Sequence, residues 1–236
     1  MNRKGKLGRR GEDAALDYLQ DRGLSLVERN WRSGHLEIDL VMEDQTSVRI
    51  VEVKTLQAAD GFDPGEPLSE YLASLIGRDL RLDVVAYGMD TWQGELCSTC
   101  EDFASKDMSY VPFAVATGLT DLAGALWWCA SLGEEQLEAL CDMLTFDALV
   151  CNTDRHLTNF GVLRDNTTGS PIGLAPIFDN GRALFPNVAE DDVSQFVLES
   201  QLQRPAFGGS SFEELLSRIA GPRQIELLEL AARRGI

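Results

Sequence analysis

Three side chains in the second half of the chain have the types and spacing of a phosphoryl-transfer centre. Asp154 lies in Asn152-Thr153-Asp154-Arg155-His156, Asn159 follows in Asn159-Phe160-Gly161, and Asp179 sits in Ile177-Phe178-Asp179-Asn180-Gly181. In that chemistry an Asp accepts the proton of the attacking hydroxyl, an Asn on the same loop ligates magnesium, and a second Asp holds the metal from the other side. The short separation of Asp154 and Asn159 lets a base and a metal ligand face one small volume, while Asp179 arrives from a strand end beside them. Each acid also has a local reading, Asp154 as a cap or turn acid and Asp179 as the acid ending a hairpin. The three in order, between an apolar helix and alternating apolar strands, favour the catalytic reading.

Positioning these groups requires a helix before them and a hairpin between them. Glu134 to Val150 is predicted to be a helix delivering its C-terminal end to the Asp154 loop, and Thr120 to Ser131 a helix before it. Val162 to Arg164 is predicted as a strand, Asp165 to Gly169 as a turn, and Gly173 to Phe178 as the strand returning Asp179 to Asn159. Upstream, Pro67 to Leu80 carries Leu68, Tyr71, Leu72, Leu75 and Ile76 at helical spacing, with Glu70 near its start. Leu82 to Tyr87 is predicted as a strand and Cys97 to Phe113 as irregular. Trp127 and Trp128, on an apolar helix, are assigned to core packing. His156 either orients its loop or does chemistry, and Arg155 either steadies the catalytic Asp or binds a phosphorylated loop. Asp191 to Leu202 is a further predicted helix, Pro205 to Ser210 a loop, and Phe212 to Ile219 and Pro222 to Arg234 two closing helices.

The front of the chain has a different pattern. Ala14, Ala15, Tyr18 and Leu19 recur at helical spacing and Gly23 stops that helix. Leu24 to Val27, Leu36 to Met42 and Val48 to Val53 are predicted as strands, the last two joined by a polar turn at Glu43-Asp44-Gln45. His35 is assigned to a turn. Glu52 and Lys54 share one strand face, so with Asp39 they could form the acidic-plus-lysine cluster with which nucleases hold a divalent metal and activate water. The alternative is a set of charges on the wet face of a small sheet.

Two resemblances follow from these residues. Gly11-Glu12-Asp13-Ala14-Ala15, Tyr18-Leu19, Glu28-Arg29-Asn30-Trp31-Arg32, Leu36-Glu37-Ile38-Asp39-Leu40 and Val51-Glu52-Val53-Lys54-Thr55 resemble the opening half of the YraN-like family over residues 5–55. That family has a restriction-endonuclease-like fold and is related to Holliday-junction resolvases, which implies Glu12, Asp39, Glu52 and Lys54 as a metal-and-lysine cluster. The chain has Leu36 where that family usually has glycine, and an acidic loop where the family continues with a basic helix. Ser69-Glu70-Tyr71-Leu72-Ala73-Ser74, Cys100-Glu101-Asp102-Phe103, the Asp154 and Asp179 motifs and Leu184-Phe185-Pro186 resemble the HipA-like serine/threonine kinases over residues 65–190. That resemblance implies Asp154 as catalytic base, Asn159 and Asp179 as magnesium ligands, and ATP with Mg2+ as co-substrate. Its strand lysine and helix acid, which grip the phosphates, match Lys54 and Glu70. No glycine-rich phosphate loop precedes Lys54, and the carboxylates of Glu43 and Asp44 stand at the tip of the preceding hairpin.

Composition narrows the classes further. A net charge of -17 over 236 residues disfavours general affinity for nucleic acid, although Arg3, Lys4, Lys6, Arg9 and Arg10 all precede the first acid, Glu12. Five cysteines argue against a disulfide framework, and the single Cys97/Cys100 pair reads as two free thiols more readily than as a zinc site. No apolar run approaches the roughly 20 residues that span a bilayer, and the amino terminus lacks the apolar core of a signal peptide, so a cytoplasmic protein is expected.

The expected fold is α+β: a small antiparallel sheet with a helix over residues 1–64, standing where a kinase amino lobe would stand, then a mainly helical lobe with a catalytic hairpin over 65–236. The expected function is phosphoryl transfer from ATP to a Ser or Thr hydroxyl of a protein substrate, with an antitoxin-like partner possible and no membrane. The alternatives are a metal-dependent nuclease acting on branched or nicked DNA, and a non-catalytic pseudokinase.

Overall fold

The structure, a computed structural model, describes residues 12–13, 15–33, 36–45, 48–51, 65–92, 95–186 and 203–236. The chain divides into two compact units, Met1–Phe62 with Ser105–Asp107, and Asp63–Ala104 with Met108–Ile236. Together they make an α+β architecture of small antiparallel sheets and helices, as expected.

In the first unit, residues 12–13 and 15–20 are helical (α1), and the chain leaves the helix through Gly23 at φ +86°, a conformation that costs glycine little. Three antiparallel strands follow in the order β1 (Ser25–Ser33), β2 (Leu36–Glu43) and β3 (Val48–Val51). Leu40 and Met42, two apart on β2, point to one face and bury against Leu24, with Ala15, Leu16 and Leu19 of α1 and Val51 of β3 packed on them. The strand β1 runs well past Val27, where the apolar signal ends. Its second half, Glu28 to Ser33, is polar in sequence and is a strand because it pairs with Leu36 to Val41 of β2.

The second unit starts with α2 (Glu66–Asp79), which has Pro67 in its first turn and buries Ser69, Glu70, Ala73, Ser74 and Gly77. The strand expected at Leu82 to Tyr87 is not formed there. That segment makes a single parallel bridge, Val84 to Ile177, in which Val85 N–H donates to the Ile177 carbonyl and Ile177 N–H to the Asp83 carbonyl. The strand begins instead at Tyr87, as β4 (Tyr87–Trp92), hairpinned with β5 (Glu95–Cys100). The expectation of irregular chain from Cys97 to Phe113 is likewise corrected, since β5, β6 (Met108–Pro112) and the short α3 (Phe113–Thr117) occupy much of it. Ser98 and Thr99 give β5 no hydrophobic signature, and pairing with β4 makes it a strand. Cys97 and Cys100 are both free thiols, and three positions apart on a strand they leave from opposite faces, which rules them out as a joint metal clamp.

Helix α4 (Leu122–Leu132) starts later than the expected Thr120 because Asp121 is its N-cap, accepting a hydrogen bond from Gly124 N–H at 2.8 Å. Helix α5 (Glu134–Val150), the hairpin strands β7 (Gly161–Asp165) and β8 (Pro171–Leu174), and the last helices α6 (Phe212–Ile219) and α7 (Pro222–Arg234) lie as the periodicity predicts, β8 closing earlier than Phe178. The Asp165 carboxylate makes the hairpin turn by accepting from Thr167 and Thr168 N–H. In the sheet β6-β7-β8, β6 pairs along the outer side of β7. Gly161 admits that pairing, since a Cβ there would overlap the Val111 carbonyl and the Tyr110 ring. The helix expected at Asp191 to Leu202 lies outside the described residues.

One continuous core joins these elements, centred on Phe113, Leu140, Leu144, Phe146, Phe160, Val162, Ile177 and Leu215. Phe113 stacks on Phe160 with centroids 5.0 Å apart and meets Trp128 edge-on at 5.5 Å. Trp128 therefore packs as expected, whereas Trp127 does not: it turns 100° further round α4 and is 69% exposed. Among the described residues, no helix is long and apolar enough to cross a membrane.

Candidate active site

The C-terminal end of α5 sets the site. The helix closes with Cys151 in the left-handed region, φ 52°, and Asn152 N–H then caps back onto the Asp147 carbonyl at 2.8 Å. Asn152 is fully buried: its Nδ2 donates to the Asp147 carboxylate at 3.1 Å, and its Oδ1 accepts from Asp154 N–H at 3.1 Å. The loop thus leaves the helix in one direction, with the Asp154 side chain half exposed. Asn159 is buried, and its Nδ2 donates to the Asp154 carbonyl at 2.8 Å, which closes the loop and leaves Oδ1 as the amide's outward oxygen.

Arg155 joins this loop to the segment after β8 that carries Asp179. It is 2% exposed and forms a forked ion pair with Asp147, Nε to Oδ2 at 3.0 Å and Nη2 to Oδ1 at 3.0 Å. Its Nη1 donates to the Asn159 carbonyl at 2.7 Å and to the Phe178 carbonyl at 2.5 Å, and its Nη2 to Asn180 Oδ1 at 2.6 Å. One guanidinium therefore fixes the backbone of Asn159 and of the residue before Asp179. Burial opposes its charge most strongly, but the Asp147 carboxylate and, behind it, Asp179 and Glu70 together raise the guanidinium above its ordinary range. Asp179 itself sits at φ 57°, a sparsely populated conformation for a non-glycine residue and one that Asp tolerates better than most.

Glu70 reaches the same segment from α2. Its Oε2 accepts from Asn180 N–H at 2.8 Å, while among the described residues its buried Oε1 has no hydrogen-bond partner. Burial pushes its carboxyl up to about 6; the Asn180 N–H pulls it down and the Asp179 carboxylate adds to the rise. Phe103, Tyr110 and Phe178 pack in contact, with centroids 5.3 to 5.8 Å apart, and the Tyr110 hydroxyl donates to the Thr158 carbonyl at 3.0 Å. His156 is exposed, with Nδ1 2.8 Å from Thr158 Oγ1 and Nε2 3.9 Å from Asp154 Oδ1.

Asp154, Asn159, Asp179 and Glu70 thus belong to one hydrogen-bonded neighbourhood. Neither role read for Arg155 in sequence describes it: with no exposed face to bind a phosphate, it is the internal tie of the site. Asp147, Asn152 and Asn180 were missed in the sequence reading. The available signal was Asp147, an acid inside the apolar run Phe146 to Val150, because a carboxylate in that position demands a buried partner.

Of the alternative set, Glu12 lies on α1 with its Oε2 accepting from Arg29 Nε at 3.1 Å and Nη2 at 2.9 Å, and Asp39 is half-buried on β2. Glu52 and Lys54 lie outside the described residues, so neither that cluster nor the Lys54–Glu70 pair is described as a unit. Among the described residues, no three His, Cys, Asp or Glu side chains converge to hold a metal. The pair Asn159 and Asp179 offers one amide oxygen and one carboxylate, a donor set suited to magnesium that keeps waters and phosphate oxygens as its other ligands.

Comparison with known proteins separates the two halves. Residues 11–71 match the uncharacterised protein family UPF0102. Similar proteins include the UPF0102 proteins of Clavibacter michiganensis subsp. michiganensis (52% identical over 68 residues, 29% of this chain and 55% of that one) and Pseudarthrobacter chlorophenolicus (47% over 66 residues, 28% and 50%). That of Oleidesulfovibrio alaskensis is 44% identical over 62 residues, 26% of this chain and 31% of its own. The chain therefore spans about a third to a half of the length of the curated relatives it matches. Among solved structures, the Helicobacter pylori proinflammatory kinase CtkA is similar with a TM-score of 0.60 and 20% identity, over 83% of this chain and 79% of that one. The chain thus carries a segment similar to UPF0102 (YraN-like) proteins, while its fold over 83% of its length is similar to that of a kinase.

Proposed function

We propose that the protein transfers a phosphoryl group from magnesium-bound ATP to a Ser or Thr hydroxyl of a protein substrate, as HipA-like kinases do. The observation that carries this reading is Arg155, which binds the backbone of Asn159 and of Phe178 at once and so holds both proposed magnesium ligands against the Asp154 loop. The kinase-like fold supports it. Bound, magnesium and ATP supply the transferable group and neutralise its charge. Asp154, half exposed, accepts the hydroxyl proton and aims the nucleophile. Asn159 Oδ1 and the Asp179 carboxylate would hold the metal, and the buried Arg155–Asp147 pair fixes the backbone on either side, so catalysis would rest on positioning and charge stabilisation. Lys54 and Glu70 are the lysine and acid proposed to serve the phosphates, Lys54 lying outside the described residues.

Asp154→Asn is expected to lower the rate of phosphate incorporation by about 10²- to 10⁴-fold, with binding of magnesium and ATP retained. Thermal shift separates the two steps: ATP with magnesium at about 100 times its dissociation constant stabilises the parent by roughly 2.7 kcal/mol, and Asp179→Asn removes that shift. Undiminished incorporation by Asp154→Asn sinks the proposal, and a cooperative transition with no ATP shift leaves a pseudokinase.

A second reading is favoured by the UPF0102 match at residues 11–71. It is a metal-dependent nuclease acting through Glu12, Asp39, Glu52 and Lys54 on branched or nicked DNA. Cleavage of a four-way junction with magnesium or manganese that is lost in Glu52→Ala supports it; no cleavage of any DNA structure disposes of it.

A further inference from the structure

A cavity of about 290 Å³, lined by none of the residues to which the proposed chemistry gives a role, lies among the start of α5, the Arg81 to Asp83 segment, the β7–β8 hairpin and the start of α7. Its floor is apolar, made by Met143, Phe160, Leu174 and Ile177, three of which are buried core residues. Its rim is charged and unbalanced. Asp83, Glu135, Glu138 and Asp142 face it against Arg81 and Arg223. Arg223 is already committed, its Nε 2.7 Å from Asp142 Oδ2 and its Nη1 3.6 Å from Glu138 Oε2, and Gln224 Nε2 donates to the other Asp142 oxygen at 2.9 Å. Asp83 and Glu135 are exposed, and among the described residues neither carboxylate has an ion pair. An apolar floor below an acidic lip suits a long aliphatic stem ending in a cation.

The geometry points to this cavity as a docking site for a basic polypeptide segment, one that inserts a lysine or arginine side chain with its stem on Phe160 and Ile177 and its charge at Asp83 and Glu135. Charge over the whole chain agrees: after residue 62 there are 27 acids against 11 bases, so a basic partner is drawn to this half by the long-range field before it meets the lip. The floor also touches the proposed active site through the chain, because Phe160 follows Asn159 and Ile177 precedes Phe178 and Asp179. Gln136 Oε1 accepts from Leu174 N–H at 2.8 Å and pins the hairpin to α5 at the cavity wall, so an occupant presses on a fixed frame.

The test uses the full chain without nucleotide, so it stands apart from the phosphoryl-transfer proposal. A fluorescein-labelled flexible peptide of alternating leucine and arginine, and its leucine and glutamate counterpart, are titrated by anisotropy. The basic peptide is expected to bind and the acidic one not to. Joint Asp83→Lys and Glu135→Lys should raise Kd by about tenfold or more, Arg81→Glu should lower it, and a control pair of exposed acids, Asp90→Lys with Glu101→Lys, should change it by less than about threefold. Equal binding of both peptides, no binding of the basic one, or equal loss in the control pair overturns the assignment.

Discussion

The two units of this chain hold their charges in opposite ways. In the first, Arg29, 27% exposed, reaches a partly buried Glu12 (13%) and an open Asp13 (62%) at the edge of a small sheet, over a core whose described buried members are Leu24, Leu40 and Met42. In the second, Arg155 and Asp147 are both about 2% exposed and are enclosed by a core running through α4, α5, the hairpin and α6. An ion pair in water constrains little, because solvent replaces either partner at low cost. A buried one has no such substitute, so every N–H of Arg155 must find an oxygen, and the oxygens it finds belong to Asp147, Asn159, Phe178 and Asn180. The similarity to curated relatives is high at the front of the chain, while the kinase-like fold is held at 20% identity.

The largest expected effect tests that contrast directly. Arg155→Ala leaves the Asp147 carboxylate buried without its partner and should cost about 3–5 kcal/mol of unfolding free energy, read by denaturant titration. Full stability in this variant would mean that water enters the site and that the tie is not structural.

Next in size is Glu70, whose carboxyl is raised from 4.5 to about 6. Its folded form binds a proton more tightly than its unfolded form, so its contribution to stability is greatest below about pH 4.5 and is lost as pH rises through about 6. Glu70→Gln should therefore stabilise the chain by up to about 2 kcal/mol at pH 7.5, with the gain vanishing near pH 4.5. A loss of stability at pH 7.5 would instead mean that the groups around the ionised carboxylate hold it better than burial penalises it.

Arg29→Ala in the first unit is expected to cost no more than about 1 kcal/mol, and less at high salt. A cost equal to that of Arg155→Ala would erase the distinction between the two regions. The smallest change expected is at Trp127: Trp127→Ser should stay within about 0.5 kcal/mol of the parent, while Trp128→Ala, which removes the edge contact on Phe113, should cost about 2–3 kcal/mol.

How much of this was legible in sequence can be traced through single elements. α5, α6 and α7 were readable because a helix repeats its buried positions every three or four residues and stops at glycine or a cap, all of it local. β5 and the second half of β1 were not, since both are polar segments made into strands by their partners, and pairing is a property of two segments rather than one. Trp127 and Trp128 are equivalent in composition and differ only by the turn of the helix between them.

The same division holds at the candidate site. Sequence alone determined the identity and order of Asp154, Asn159 and Asp179, the extreme acidity of the chain, and the likeness of its opening to YraN-like proteins, because these are written in residue type and spacing. Only the tertiary structure decided that Arg155 is a buried tie rather than a phosphate ligand, that Asp147 and Asn180 are its partners, and that Glu70 lies against Asn180. Those contacts join residues up to 110 positions apart, and no local pattern encodes which buried donor will meet which buried acceptor until the core that excludes water has closed around them.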